Sequence, residues 1–525
     1  MLSCEKVELN IQVGKEKIME FIHNETLAQK AKALQRPLNH ETKYPCSIVR
    51  IERDESAFQG LRAVRLADVD FPLILGSKES VILDFGEHCV GYLQYSLTHL
   101  PESIVDSPAM LKFTFGEFPL EIEQPLEEYK GALGSGWLQN ETRHIAITPY
   151  DGVLDRRYSF RYLKIERVDS ALFPVKLTNV CADCVSAVKL CKAKTFSIPD
   201  ETLNKIYFTS LKTLKECEQD VFEDGPKRDR RLWIGDLRLQ ALTDNVTFSN
   251  ADLVKRCIYL FAAHRAEHGF VSQCVFADSY PYVYEWVFLD YSLFYISCLY
   301  DCMNRYDDIE FFNDAYPMAV EQAERVTALF ESGDSRFKST AFIDWCKDLD
   351  KSIAMLGVYI YTLKQLIVLA KKYGKECSRF EEKVEEATKA LLAYYSKEKG
   401  LFVTESGQIS WHSQIWAVLA GVFSREENVK LLQTVKSVNP EFYIHTPYMM
   451  HYYLEALYTN GKKEEVISII RQYWGRMIEY GFDCCLEVFD PNNHWDSPYH
   501  DAVLNSACHA WSCTPAYWIY RYYHE

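Results

Sequence analysis

Several features that would point to a membrane, an export route or nucleic acid are missing from this chain. The N-terminus reads Met-Leu-Ser-Cys-Glu-Lys-Val-Glu, without the basic stretch and apolar core of a secretory signal. No uncharged apolar run is long enough to cross a bilayer. Positive charge is not in excess: 58 Lys and Arg against 74 Asp and Glu leave a formal charge of -16. An acidic chain repels phosphate backbones, which argues against nucleic-acid partners and leaves neutral or cationic substrates open. There is no G-x-G-x-x-G, no phosphate loop and no His-Glu-x-x-His, so neither a cofactor nor a metal is expected. Cysteine is not scarce, but the 17 residues are odd in number and irregularly spaced. That suits a reducing, cytoplasmic setting better than a disulfide framework.

A chain of 525 residues exceeds one ordinary domain. Its two parts differ in hydrophobic period. Val81–Phe85 before Gly86, Leu111–Phe115, Tyr162–Glu166 and Val175–Thr178 read as strands, the last three by alternation. Runs of this kind separated by Gly, Pro and Asp predict a β-sandwich over 1–195. At Pro199-Asp200 the period changes. Asp200 is a candidate N-cap, and Leu203, Ile206, Tyr207, Leu211 and Leu214 follow at helical spacing. From there, over 196–525, roughly twelve helices are expected, near 200–221, 232–247, 252–268, 284–304, 315–332, 351–373, 377–396, 411–422, 426–436, 447–459, 462–480 and 505–523. Gly269, Gly374 and Gly481 sit where C-terminal glycines belong, and Thr446-Pro447 offers a cap followed by proline.

The connections are more informative than the helices. Links after the second, sixth, eighth and tenth helices are short, and the one after the fourth is moderate. Links after the odd helices are longer, the first excepted, and they contain Asp278-Ser279-Tyr280-Pro281, Asp344-Trp345, His445-Thr446 and the stretch 481–504. Alternation of up and down helices gathers the odd links at one end, where function usually resides. Six hairpins with one loop-rich face describe an (α/α)6 toroid.

The loop after the first helix reads Phe222-Glu223-Asp224-Gly225-Pro226-Lys227-Arg228-Asp229-Arg230-Arg231-Leu232-Trp233-Ile234-Gly235-Asp236. Carboxylates and guanidinium groups this dense set one another's rotamers and pKa values. Glycoside hydrolysis needs one protonated and one ionised carboxyl across the scissile bond. The plain alternative is a solvated ion-pair cluster.

Asp224, Pro226, Arg228, Asp229, Trp233, Gly235 and Asp236 resemble the signature Asp-x-Pro-x-Arg-Asp-Glu-Arg-x-x-Trp-x-Gly-Asp of the bacterial α-L-rhamnosidases, glycoside hydrolase family 78. Ile82–Gly86 with Gly91-Tyr92-Leu93, Phe160–Leu163, His445–Met449, Tyr473–Met477, Leu486–Asp490 and Ser506–Trp511 extend the resemblance over nearly the whole chain. It implies a six-hairpin glycosidase that releases terminal α-L-rhamnose, or a close 6-deoxy sugar, with inversion. The loop is one residue shorter than the signature. Counted from Asp224, the general acid falls on Arg230; counted back from Trp233, it falls on Asp229, which keeps an acid in place. Glu487 matches the general base. Both lie in odd links, an agreement independent of the motif.

The resemblance further implies substrate-binding roles for Asp224, Arg228, Trp233, Asp236, Asp344, Trp345, His509 and Trp511. For His509 and Trp511 a packed helix start is an equal alternative. Trp286, at helical spacing, reads as core. Cys181-x-x-Cys184 lacks a second ligand pair and reads as buried thiols, and Cys484-Cys485 as packing beneath the loop of Glu487. For Asp229 to hold a proton, Arg228 and Arg230 must point away or pair with Asp224, Asp236 or Glu223. The two carboxylates should lie roughly 6.5–9.5 Å apart for inversion. A uronate-acting enzyme on the same toroid, drawing on Arg230 and Arg231, and a non-catalytic sugar-binding protein are the alternatives. The partner is a small carbohydrate in each case, and the oligomeric state is not encoded in any pattern found.

Overall fold

The computed structural model describes residues 21–100, 108–170, 173–277 and 281–525; Asp278-Ser279-Tyr280, expected in the third link, lie outside the described residues. The chain divides into two units. One contains residues 21–35, Leu232–Ala241 and Ala251–Val466; the other contains Arg36–Arg231, Leu242–Asn250 and Ile467–Glu525.

The unit beginning at Arg36 carries a sheet whose spine is Ser80–His99, a strand of 20 residues. Tyr158–Arg167 runs antiparallel to it, Tyr158 opposite Gly91 and Ile165 opposite Val81, with a bulge between Phe160 and Tyr162. Val175–Ser186 pairs with the later half of the spine, Val175 opposite His99 and Cys184 opposite Gly91. Ala109–Gly116 adds beyond Tyr158–Arg167, and Asn140–Ile145 beyond that. The spine also pairs with Ser47–Arg53 and Tyr150–Val153. One long strand thus carries pairing partners along its whole length. The alternating residues read from sequence fill the core: Leu83, Phe85, Leu93, Tyr95, Leu111, Phe113, Phe115, Leu163 and Leu177 belong to one buried cluster. Gly91 permits the tightest approach. A Cβ there would lie 2.2 Å from the carbonyl oxygen of Asp183 on the neighbouring strand.

The twelve expected helices are all present among the described residues, with shifted ends: Glu201–Cys217, Ile234–Val246, Ala251–Ala263, Leu289–Tyr306, Ile309–Ser332, Ser352–Lys372, Ser378–Leu392, Trp411–Leu419, Arg425–Val438, Pro447–Thr459, Lys463–Glu479 and Pro515–His524. Asp200 caps the first through the Leu203 amide at 2.8 Å, and Thr446 caps the tenth through the Met449 amide at 3.2 Å. Gly374 and Gly481 follow helix ends with φ of 63° and 87°, the left-handed conformation glycine tolerates.

Several expectations need correction. The third helix stops at Ala263, and His264–Ala266 becomes a strand against Phe21–His23; Gly269 therefore sits in a tight turn after that strand, donating to the Ala266 carbonyl at 2.7 Å. A pairing partner some 240 residues away in sequence is invisible to local periodicity. For the same reason the β-rich reading of 1–195 fails near its start: Glu25–Ala33 is a helix that packs against Ala251–Ala263 in the helical unit. The fifth helix starts at Ile309, because Asp308 accepts from the amides of Glu310 and Phe311, and Pro317 is carried inside it. The fourth link is only Asp307–Asp308, shorter than expected. The fourth helix starts at Leu289, so Trp286 is not at a helical position and is 77% exposed rather than core. The twelfth starts at Pro515; the chain before it folds as short turns at Ala502–Leu504 and Ala510–Ser512.

These boundaries sharpen the alternation of links. Those after even helices run 247–250, 307–308, 373–377, 420–424 and 460–462, whereas those after odd helices run 218–233, 264–288, 333–351, 393–410, 439–446 and 480–514. One helix, Ser352–Lys372, is long and apolar enough to cross a membrane by length and composition, but 78% of its apolar window is buried within the protein. That is the pattern of a core helix.

Candidate active site

Within the unit beginning at Arg36, the first and last odd links are stitched together. The loop from Asp224 to Arg231 closes on itself: the Asp224 amide donates to the Arg231 carbonyl, and the Arg231 amide donates to Asp224 Oδ1, each at 3.0 Å. Ala510 donates to the Asp224 carbonyl at 3.0 Å, His509 to Cys485 at 2.9 Å, and Glu487 to Ser506 at 2.9 Å. The Trp511 indole N–H donates to the Glu487 carbonyl at 2.9 Å. Gly225 allows this packing, since a Cβ would come within 3.0 Å of His509 Nδ1 and 3.2 Å of the Cys508 carbonyl oxygen.

Arg228 lies at the junction, buried. Its Nη2 reaches Glu487 Oε2 at 2.7 Å, its Nη1 stands 3.7 Å from Asp229 Oδ1, and its Nε donates to the Leu504 carbonyl at 2.8 Å. Its face covers the Tyr499 ring at 3.8 Å. The Tyr499 hydroxyl donates to Glu487 Oε1, and the Ser506 amide to Oε2 at 3.1 Å. Burial alone would raise the Glu487 carboxyl, but Arg228, His509, Tyr499 and the Ser506 amide together hold it below the usual carboxylate range. It is ionised at neutral pH.

Of the acids in this loop, Asp229 is the one reaching outward. Its side chain is 17% exposed, with Arg228 at 3.7 Å and Arg231 at 4.0 Å. The expectation that both flanking arginines avoid Asp229 is therefore corrected for Arg228, which Glu487 draws to the junction beside it. Arg230 does turn away: its Nε donates to the Pro226 carbonyl at 2.9 Å. Burial and the nearby Arg157 push its guanidinium down to about 10. Glu223 is buried and gripped by Arg157 at 2.6 Å and 2.7 Å. Asp224 is buried in the loop closure, and His509 and Trp511 are buried with rings 4.5 Å apart. Cys484 and Cys485 pack beneath the loop as expected, both buried. Cys181 and Cys184 lie three apart on one strand, so their side chains leave opposite faces.

The helical unit gathers its own odd links around Asp344, which is buried. Asp344 Oδ1 accepts from the Thr446 hydroxyl at 2.6 Å and the Trp345 amide at 2.9 Å; Oδ2 accepts from His412 Nε2 at 2.8 Å and the His445 amide at 2.9 Å. Asp290, at the start of the fourth helix, accepts from the amides of Phe342 and Ile343 at 2.9 Å each. Links after the third, fifth, seventh and ninth helices thus converge, as alternation requires. Trp345 leaves the cluster with 41% of its surface exposed, an apolar face of the kind that stacks on a sugar ring. Asp236 is buried near Tyr291, whose ring forbids any side chain at Gly235 by lying 2.4 Å from its Cβ position. Trp233 is half-buried on the short strand Leu232–Trp233, paired to Cys274–Phe276.

Sequence reasoning missed Tyr499, Ser506, His412 and Asp290. Tyr499 fell inside a stretch identified only by its length, and Ser506 acts through its backbone. His412 and Asp290 stand at the first turn of helices that follow odd links, which is a usable signal.

Comparison with known proteins bears on these geometries. Residues 45–184 match the model of the glycosyl hydrolase family 78 α-rhamnosidase N-terminal domain, and residues 192–523 that of the bacterial α-L-rhamnosidase six-hairpin glycosidase domain. A rhamnosidase from Klebsiella oxytoca, solved with rhamnose bound, is 37% identical, with a TM-score of 0.91 over 96% of this chain and 99% of that one. The family 78 rhamnosidase of Bacillus sp. GL1 is 21% identical, TM-score 0.71, over 89% of this chain and 50% of that one. The α-L-rhamnosidase of Dictyoglumus thermophilum is 18% identical, TM-score 0.65, over 87% and 52%; these two share the fold. No curated protein matches significantly. The chain belongs to the bacterial α-L-rhamnosidases of glycoside hydrolase family 78, with a β-sandwich region followed by an (α/α)6 six-hairpin domain.

Proposed function

We propose that this protein is an inverting exo-glycosidase that releases terminal α-L-rhamnose from small glycosides or oligosaccharides. The observation that carries the reading is the shared guanidinium of Arg228, with Asp229 on Nη1 and Glu487 on Nη2. Two carboxylates on the two terminal nitrogens of one guanidinium, one partly exposed and one buried and ionised, suit an acid and a base that serve the same bond. In this reading the negative charge of Glu487 offsets the Arg228 cation that stands beside Asp229, and Asp229 gives its proton to the glycosidic oxygen as the bond to the anomeric carbon breaks. Glu487 takes a proton from water attacking the opposite face, and the sugar leaves with inverted configuration. Arg228, Tyr499 and Ser506 hold Glu487 anionic and aimed. Trp511 fixes its backbone. Within the same unit Asp224 and His509, buried beside the Arg228–Glu487 pair, shape the sugar site.

Rhamnose as substrate is supported by the bound sugar in the Klebsiella oxytoca relative. The uronate-acting reading loses ground because Arg230 is turned inward onto Pro226. The abundance of buried thiols favours a cytoplasmic setting, and a boundary near 195–196 between β and helical parts remains our reading of the later chain. The test is turnover of para-nitrophenyl α-L-rhamnoside against the fucoside, mannoside and glucuronide, with NMR of the first-formed anomer. Rhamnose released as the inverted anomer is expected. Tight binding without turnover, or first release of the retained anomer, would sink the reading.

A further inference from the structure

Beneath the Glu487 loop lies a group of side chains that the glycosidase reading does not use. His88 comes from the long strand Ser80–His99, Cys484 from the segment just before Glu487, and Cys508 from the residue before His509. One ring nitrogen and both sulfurs lie within 4.8 Å of one another, and all three residues are buried. His88 Nε2 faces Glu117 Oε1 at 3.1 Å and Ser159 Oγ at 3.0 Å. The Cys484 thiol adjoins the same ring as a hydrogen-bonding neighbour. A buried imidazole with one nitrogen held by a carboxylate and the other left toward two thiols is the arrangement by which proteins orient a metal-binding histidine. Cys217, the last residue of the helix Glu201–Cys217, adjoins the Cys508 thiol and is also buried, with its own thiol directed at the Asp224 carbonyl at 3.9 Å.

We infer that His88, Cys484 and Cys508 form a binding site for one soft divalent cation, zinc by its ligand chemistry. Zinc binds thiolate at about 2.3 Å and imidazole at about 2.0–2.1 Å, so tetrahedral ligands stand roughly 3.5–4 Å apart; the observed cluster needs only a small contraction. Two thiolates balance the charge of the ion, and their two protons pass to solvent on binding. Glu117, the carboxylate behind His88, is itself held by the Ala507 amide and has Lys227 at 4.0 Å. The ion would join the long strand and both late-loop segments, three residues from Glu487 and one from His509, pinning the loop that carries the base.

The test uses the full chain, stripped of metal under thiol-reducing conditions and titrated with Co²⁺ as the probe. We expect uptake of one equivalent with a thiolate-to-cobalt charge-transfer band. The band should be lost in Cys484→Ala, Cys508→Ala and His88→Ala and retained in Cys181→Ala. Absence of the band in the wild-type chain, or its survival in those three variants, overturns the site. Should the variants not fold, cadmium NMR of the wild-type chain decides: a mixed thiolate–imidazole resonance supports the site, and a resonance of oxygen or nitrogen ligands alone overturns it.

Discussion

Replacing Arg228 by Met removes the cation that the Glu487 environment is built around while keeping much of the buried volume. Glu487 is 2% exposed and loses its partner at 2.7 Å; breaking a buried pair in this way costs about 3–5 kcal/mol. The cost depends on pH with a definite sign. In the native protein the Glu487 carboxyl sits below its usual range, so its contribution to stability is present above the unfolded pKa of about 4.3 and is lost as pH falls through the lower folded value. Without Arg228, burial becomes the leading influence and the folded carboxyl rises above the unfolded value. The variant then loses stability as pH rises through that window. The gap between the two proteins should therefore be widest at neutral pH and shrink toward about pH 4.

Urea unfolding at several pH values measures that gap, and the pH profile of kcat/KM on an aryl rhamnoside measures its catalytic counterpart. The acid limb, which reports the free base, should move upward toward neutrality in Arg228→Met. In a Glu487→Gln background the cost of Arg228→Met should be independent of pH through this window, because the Glu487 charge is gone. An unchanged acid limb together with a pH-independent stability gap would refute the argument that Arg228 sets the charge state of Glu487.

Asp229→Asn should abolish turnover of a rhamnoside with a poor leaving group and spare one that departs without protonation; near wild-type activity on natural glycosides would exclude Asp229 as the acid. Glu487→Gly should be inactive on both kinds of substrate, with azide restoring activity as a glycosyl azide of inverted configuration identified by NMR. Asp344→Ala removes four hydrogen bonds to one buried carboxylate, so a loss of several kcal/mol in urea unfolding is expected at about 1.5–3 kcal/mol for each charge-assisted bond less relaxation. Burial pushes the Asp301 carboxyl up to about 7 despite Arg238, so this group's contribution falls as pH rises from about 4 to about 7. The melting temperature of Asp301→Asn relative to wild type should accordingly increase between pH 5 and pH 8, and a constant difference would contradict that shift.

The fold was legible where local period and long-range packing agree. Leu111, Phe113 and Phe115 alternate because one face of their strand is core, and the twelve helices announce themselves by capped, periodic stretches. Legibility failed where a distant segment decides the outcome. His264–Ala266 continues a helical pattern and is a strand only because Phe21–His23 lies alongside it. The site divides in the same way. Asp229 and Glu487 were singled out through residue type, motif and the parity of their links. The motif also marked Arg228, but no sequence pattern reveals that one guanidinium touches both carboxylates, since that contact joins positions 259 residues apart. Tyr499 illustrates the limit most clearly. It sits in an irregular stretch with no period to read, yet its hydroxyl and ring bear on both members of the Glu487–Arg228 pair. Irregular segments carry no periodic constraint from a core, so their chemistry is free to be set by the site they serve, and only the folded arrangement displays it.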